Sequence, residues 1–136
     1  MGFEDIRTGA VISYPFLWAR EAAAGETEGR KLRPTVVVLR LPRSGGDTVV
    51  LLPITTQPPA KGRHTVEIPE TEKQRAGLEV SVRSWIMLDE FNTDAIGTSY
   101  YLEPAPPLGM FSRAFFAPVA RMFVAHIKAA REVGRR

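Results

Sequence analysis

The stretch TVVVLRLPRSGGDTVVLLPI, residues 35–54, decides the fold of this chain. Its two ends, TVVVLRL and TVVLLPI, are rich in β-branched residues and too short for helices, so they predict two strands. Between them lies SGGD, residues 44–47, whose two glycines and aspartate are typical of a hairpin loop. Pro34 suits the start of the first strand, and Pro53 predicts a bulge or an edge position near the end of the second.

Three shorter segments outside the hairpin also predict strands. GAVISY at 9–14 precedes the hairpin, and HTVEI at 64–68 alternates polar and apolar residues as a half-buried strand does. SWIML at 84–88 is apolar enough for a central strand. Together with the terminal helix described next, these short strands predict a mainly β protein, a strongly bent sheet closed as a β-barrel with a C-terminal helix.

The terminal helix is predicted at about 113–132, after the proline-rich segment EPAPPLG at 103–109. Pro118 fits the first turn of that helix better than its middle. The segment AREAAAGETEGRK, at 19–31, is interrupted by two glycines and predicts a long surface loop between the first two strands. The apolar positions that recur at helical spacing near the C-terminus are Phe116, Val119, Phe123, Ile127 and Ala130.

Length and composition limit the classes of protein that remain. A length of 136 residues fits one domain, so residues 1–136 are interpreted as a single domain without internal repeats. The absence of cysteine excludes disulfides, thiolate metal sites and a cysteine nucleophile. A net charge of +3 permits a polyanionic partner without requiring one. An N-terminus without an apolar run, and no stretch of about 20 apolar residues elsewhere, predict a cytoplasmic protein with no membrane partner.

The order of the segments resembles the PemK/MazF family of small toxin-like ribonucleases. The resemblance is carried by GAVISY, KLRPTVVVL, LPITTQ and HTVEI in that order, followed by GLEVSV and SWIMLDEF and by the C-terminal helix. It covers most of residues 9–130, with the loop at 19–31 longer than is usual in the family. The resemblance implies an SH3-like barrel and a homodimer that cuts single-stranded RNA without a metal or other cofactor. It also implies a cognate antitoxin protein as partner.

The resemblance further implies three catalytic residues. Arg33 corresponds to the family's motif arginine, and the planar fork of a guanidinium suits two phosphate oxygens. Thr55 corresponds to the motif threonine, whose hydroxyl binds the scissile phosphate or its neighbour. Asp89 matches an acid that some members use as the base. The RNA contacts that we expect around them are Trp18, Lys31, Thr56, Gln57, Arg63 and His64.

Simpler roles stay open for several of these residues. Arg33 can be a solvated residue before a strand, and the hydroxyl of Thr55 can bond local backbone in a strand-end turn. Asp89 and Glu90 cannot easily act as a pair, since neighbouring residues on a strand face opposite sides. His64 is a reserve general base, because histidine titrates near neutrality. Neither His64 nor His126, which is expected to be structural, suggests a metal site.

Two departures from the family pattern bear on activity. Some relatives place a second arginine where this chain has Met87, and others place one where it has Asn92. The loss of these cations predicts weaker phosphate binding, an altered RNA preference or lost catalysis. A non-catalytic module that binds nucleic acid or protein is therefore the alternative. Inhibition of gyrase, which a sibling branch achieves with a C-terminal Trp-Gly-Ile tail, is disfavoured by the ending VGRR.

Overall fold

A computed structural model describes residues 3–23, 25, 31–99, 101–102 and 104–127, and the backbone of 131–134. In this part of the chain there are eight strands and three helices. The strands are β1 Ala10–Tyr14, β2 Arg33–Leu41, β3 Thr48–Thr55, β4 Thr65–Glu67, β5 Trp85–Met87, β6 Glu90–Ala95, β7 Gly109–Met110 and β8 Arg131–Gly134. The helices are α1 Ala19–Ala23, α2 Glu70–Arg75 and α3 Arg113–Ala125.

The strands form one curled sheet in the order β4-β5-β3-β2-β1-β7, with antiparallel neighbours throughout. Strand β6 adds a further antiparallel partner to β3, and β8 runs parallel to β6. The predicted hairpin is therefore the β2–β3 pair at the centre of the sheet. The curled sheet forms a half-barrel with the C-terminal helix, so the prediction of a mainly β, SH3-like fold is confirmed.

Both faces of the central hairpin are buried, which explains its nearly continuous apolar sequence. Val36 and Val38 belong to a core cluster that also contains Phe116 and Phe123 of α3. Val37, whose side chain alternates with theirs, belongs to a second cluster on the opposite face. The second cluster contains no residue of α3 and is completed by aromatic residues on and after β1, namely Tyr14, Phe16 and Trp18.

Pro53 lies where β3 exchanges one neighbour for another. Strand β3 pairs with β6 over Thr48–Leu51 and with β5 at Ile54 and Thr55, so Pro53 falls between the two pairings. The missing N–H of a proline is tolerated at such a gap. The bulge that was one of the two expectations for Pro53 does not occur there. A register shift occurs in β2 instead, between Val37 and Leu39.

The C-terminal prediction is wrong in its extent. Helix α3 begins after Ser112, whose side chain accepts a hydrogen bond from the backbone of Phe115, and it ends at Ala125 rather than near 132. Ile127 lies beyond the helix and is half-exposed, while Ala130 lies outside the described residues. Residues 131–134 form β8, because the second edge of β6 is otherwise unpaired in the described chain and a parallel strand satisfies its backbone groups.

Four other elements were not predicted from the sequence. The short helix α1 occupies the start of the segment predicted as a loop at 19–31, of which residues 24 and 26–30 lie outside the described residues. Helix α2 and strands β6 and β7 fall in stretches where no periodic signal was identified. Among the described residues, no helix has the length and apolarity needed to cross a bilayer.

Candidate functional site

A cavity of about 390 Å³ opens beside the start of β2 and the end of β3, and we call it the basic cavity. Four cationic side chains line it, and no carboxylate does so among the described residues. The cations are Arg20, Lys31, Arg33 and Arg63. The cavity therefore concentrates positive charge, although the whole chain carries a net charge of only +3.

The hairpin brings Arg33 and Thr55 together. Thr35 pairs with Pro53 across the antiparallel strands, so the start of β2 and the end of β3 lie side by side at one rim. Both side chains line the basic cavity. The Thr55 hydroxyl oxygen accepts a hydrogen bond of 3.0 Å from the backbone N–H of Gln57, as expected for a strand-end turn. This bond fixes the oxygen and leaves its own proton as a donor toward a ligand.

Trp18 supports two of the arginines. The guanidinium carbons of Arg20 and Arg33 lie 4.9 Å and 5.6 Å from the centre of the Trp18 ring, within the range of cation–π interaction. The tryptophan is only 4% exposed. A base can therefore stack directly on its ring only if a guanidinium moves. In this arrangement Trp18 serves the cavity mainly as a platform for Arg20 and Arg33.

The backbone that carries Trp18 is held by polar side chains on one face of β6. Asn92 is fully buried, accepting a hydrogen bond from the backbone N–H of Leu17 and donating one to its carbonyl, both of 2.9 Å. Glu90 accepts a bond of 2.8 Å from the N–H of Ala19, and Asp94 accepts one of 2.6 Å from the Tyr14 hydroxyl. Residues two apart on a strand share a face, so these three side chains form one row.

This row corrects the expectation for Asn92. The resemblance to the family pattern suggested that this chain lacks an arginine of the RNA site at position 92. The side chain instead points into the protein and holds the chain that leads to α1. Met87 differs, since it lines the basic cavity and places a thioether among the cations.

Arg63 is paired with two acids. Its Nε and Nη2 donate to the two carboxylate oxygens of Asp89 at 2.5 and 2.9 Å, and Nη2 also donates to Glu90 at 2.9 Å. The expectation that Asp89 and Glu90 face opposite sides is thus wrong, since both carboxylates reach Arg63. Asp89 lies in the bend between β5 and β6, where the alternation of a strand does not apply.

The pairing sets the charge states of both partners. Burial disfavours the charged form of Asp89 and is the largest single influence on its pKa. The hydrogen bonds and positive charge of Arg63, with backbone hydrogen bonds at Asp89 and His64, outweigh burial and hold that pKa below its ordinary value. The hydrogen bonds that Arg63 donates to Asp89 in turn raise the pKa of Arg63. Asp89 is therefore ionised at neutral pH, with both oxygens engaged.

The remaining predicted residues lie at different places. Lys31 and Gln57 line the basic cavity, and they also line a second, adjacent cavity together with Thr56. His64 lines neither cavity and stacks on His126, with ring centroids 5.0 Å apart. The structure therefore brings together most of the predicted residues but not His64, and it connects Asp89 to the basic cavity only through Arg63. No group of three or more metal-binding side chains occurs within the described ranges.

Sequence reasoning missed Arg20 as a residue of the basic cavity. The resemblance gave no motif position for it, and its segment was predicted to be a loop. A weak local signal existed, because Glu21 lies three residues after Trp18 and bonds back to the Trp18 backbone N–H at 3.0 Å, as in one half of a capping box. With that bond, α1 begins directly after Trp18, and Arg20 lies over the Trp18 ring.

Comparison with known proteins identifies the family of the chain. A family model described as a PemK-like, MazF-like toxin of type II toxin–antitoxin systems matches residues 16–95, which is more than half of the chain. The matched range includes every described residue that lines the basic cavity, and Asp89 and Glu90 as well. No curated protein matches the chain. The chain thus belongs to the family of PemK-like, MazF-like toxins of type II toxin–antitoxin systems, a membership that implies an antitoxin partner.

Proposed function

We propose that this protein is an endoribonuclease that cuts single-stranded RNA at the basic cavity. The observation that carries the proposal is the grouping of four cations and a hydroxyl donor in one cavity that no described carboxylate lines. A phosphodiester backbone is the polyanion that such a cavity suits. Membership of a toxin family supports the same conclusion.

The proposed reaction is attack of a ribose 2′-oxygen on the adjacent phosphorus: the 2′-hydroxyl loses its proton, the bond from phosphorus to the 5′-oxygen breaks, and the leaving 5′-oxygen takes up a proton from water. The products are a cyclic 2′,3′-phosphate and a free 5′-hydroxyl. Negative charge grows on the non-bridging oxygens in the transition state, so positioned donors accelerate the step. Arg33 supplies a permanently charged fork, and Thr55 supplies a hydroxyl whose oxygen is already fixed by Gln57. Lys31 and Arg20 add charge along the backbone path.

Asp89 is the candidate acceptor for the proton of the 2′-hydroxyl. It is ionised at neutral pH, as a base must be, but its depressed pKa makes it a weak one. Both of its oxygens are engaged by Arg63, so one of them has to turn toward the ribose when RNA binds. Asp89 has a second role that needs no movement, since it holds Arg63 at the wall of the cavity.

The antitoxin is proposed to compete with RNA for the basic cavity. An acidic segment of the partner would place carboxylates on the same cations that bind phosphate. We also propose a homodimer, as the family resemblance implies. Sedimentation of the purified protein alone checks the dimer, and displacement of a bound fluorescent RNA by a poly-glutamate peptide checks the competition.

The deciding test is digestion of a long single-stranded RNA in EDTA, with the fragment ends mapped, by the wild type and Arg33→Ala. Discrete cuts with 5′-hydroxyl ends are expected from the wild type. Arg33→Ala should slow cleavage by about 10²–10³-fold, the effect of removing one oxyanion donor. Arg43→Ala is the matched control, because Arg43 is an exposed arginine that lines neither cavity. Equal cleavage by wild type and Arg33→Ala would remove Arg33 from the mechanism.

A second candidate function is RNA binding without cleavage. Two observations favour it: Met87 places a neutral thioether in the cavity wall where some relatives have an arginine, and Arg63 engages both oxygens of Asp89, the candidate base. This candidate predicts that folded protein, free of antitoxin, binds RNA but leaves it intact in EDTA and in every other buffer. Cyclic phosphate ends on any fragment would exclude it.

A further inference from the structure

A second cavity of about 330 Å³ adjoins the basic cavity, and we call it the side cavity. The two cavities share four wall residues, namely Lys31, Arg33, Thr55 and Gln57. A chain of nucleotides whose phosphate lies on Arg33 can therefore place a neighbouring base in the side cavity. Its volume is at the lower end of the range for small-molecule sites.

Part of the wall of the side cavity is apolar. Leu32 and Val82 line it and are 65% and 42% exposed, unusually open for large apolar side chains. Leu78 and Ile54 add further apolar wall. Exposed apolar side chains that face one cavity indicate a ligand with an apolar face, such as a nucleobase.

Polar groups in this cavity have hydrogen-bonding capacity to spare. The Ser84 hydroxyl is buried and has no hydrogen-bond partner within the described part of the chain. Glu79 is the one carboxylate among the described wall residues. Its Oε1 accepts a bond of 3.0 Å from the Ser81 hydroxyl, and no described group bonds to Oε2. The buried Ser84 hydroxyl is an exception of the kind that calls for a ligand or water, whereas Glu79 is exposed and keeps one oxygen open to a ligand.

Hydrogen bonds from a buried lysine hold the loop that carries Glu79 and Val82. Lys73 is a buried lysine whose Nζ donates to the carbonyl oxygens of Val80 and Val82 at 3.0 and 2.7 Å. Burying an ammonium group costs free energy unless it is hydrogen-bonded. The two bonds to Val80 and Val82 offset that cost and hold the loop against Lys73. The cavity is thus held in shape in the absence of any ligand.

We propose that the side cavity binds a base next to the scissile phosphate and that Glu79 selects guanine, an inference that rests on the proposed ribonuclease function. Guanine presents two neighbouring N–H donors, N1 and N2, which match the two oxygens of a carboxylate. Uracil places carbonyl oxygens on both sides of its single N–H, so a carboxylate repels it. Adenine and cytosine offer an amino group beside an unprotonated ring nitrogen and fit less well.

The same carboxylate argues against an acidic antitoxin segment in the side cavity, because the two negative charges would repel. The cations shared with the basic cavity attract phosphate at one end, and the acid selects donors at the other. Because the side cavity has cations at one end and a carboxylate at the other, it fits a nucleotide in one orientation.

The experiment compares wild type, Glu79→Gln and the control Glu4→Gln on single-stranded RNA of random sequence in EDTA. Glu4 is an exposed acid that lines neither cavity. Wild type and Glu4→Gln should favour guanine at one position beside the cut. In Glu79→Gln this preference should fall about tenfold, the discrimination of one bidentate contact. Equal preferences in wild type and Glu79→Gln, or a wild-type preference for uracil there, would overturn the proposal.

Binding separates this proposal from the ribonuclease function. The probes are four fluorescent 2′-O-methyl pentanucleotides, UUXUU, which lack the attacking hydroxyl and differ only at X. Tighter binding of the guanine probe that is lost in Glu79→Gln supports the proposal even if the wild type cuts no RNA. Equal binding of all four probes would overturn it even if the wild type does cut.

Discussion

Arg33 and Arg63 line the same cavity, yet their surroundings differ. Arg63 donates three hydrogen bonds to two carboxylates. The guanidinium of Arg33 is bonded to no carboxylate among the described residues and lies over Trp18 instead. The charge of Arg63 is therefore balanced within the protein, whereas that of Arg33 is available to a ligand. Position on a cavity wall does not by itself show that a cation is available to a ligand, because an internal counter-ion can already balance its charge.

The largest expected effect comes from adding an arginine where some relatives have one. Asn92→Arg should lower the free energy of unfolding by about 4 kcal/mol, because it forces a much larger side chain into a fully buried position and leaves the backbone N–H and carbonyl of Leu17 without their partner. Urea unfolding measures the loss. Gln57→Arg, at an exposed position of the basic cavity, is the control and should unfold like the wild type. A stable Asn92→Arg would mean that this position can supply a cation to the site.

A smaller effect is expected from neutralising the partner of Arg63. Asp89→Asn should lower the free energy of unfolding at pH 7 by about 1.5 kcal/mol, since it weakens charge-assisted hydrogen bonds.

The pH dependence of that difference follows from the lowered pKa of Asp89. The carboxylate contributes stability that is fully present above the pKa of an unfolded aspartate, about 3.9, and is lost as the pH falls through the lower folded-state pKa. Urea unfolding at pH 7, 4 and 3 should therefore show the gap between wild type and Asp89→Asn closing toward acid. Asp5→Asn, at an exposed aspartate, should show no gap at any pH. A gap for Asp89→Asn that stays constant with pH would contradict a role for its ionised form.

The smallest effect concerns Arg83, an exposed arginine that, like Arg63, donates two hydrogen bonds to one carboxylate. Arg83 donates two bonds of 2.8 Å to the carboxylate of Glu67, but its side chain is 71% exposed. Water and salt screen such a pair, so Arg83→Ala should leave the urea midpoint unchanged within error. A clear loss of stability would mean that bidentate geometry, rather than burial, determines the strength of the Arg63 pair.

The fold could be predicted in its centre but not at its edges. The β2–β3 hairpin has a strong signal because both of its faces are buried and its loop has turn residues. Strand β6, with the sequence EFNTDA, has no such signal, since its polar residues are buried by bonding a distant segment of chain. The end of α3 could not be predicted either, because β8 owes its conformation to the free edge of β6.

The candidate site was predicted in the same uneven way. Arg33 and Thr55 follow from motif positions, and the pairing of β2 with β3 brings them together. Arg20 and the pairing of Arg63 depend on chain segments that meet only in the folded protein. His64 has the right chemistry for a base but lies outside both cavities.

By itself, the sequence determined the central hairpin, the family and the motif residues, because these depend on local patterns of polarity, turn residues and order. The tertiary structure decided which charges are free. Asn92 became a core residue and Arg63 a paired one, because side chains distant in sequence reached their polar atoms. The availability of a charge depends on its neighbours in space, and a single sequence does not specify those neighbours.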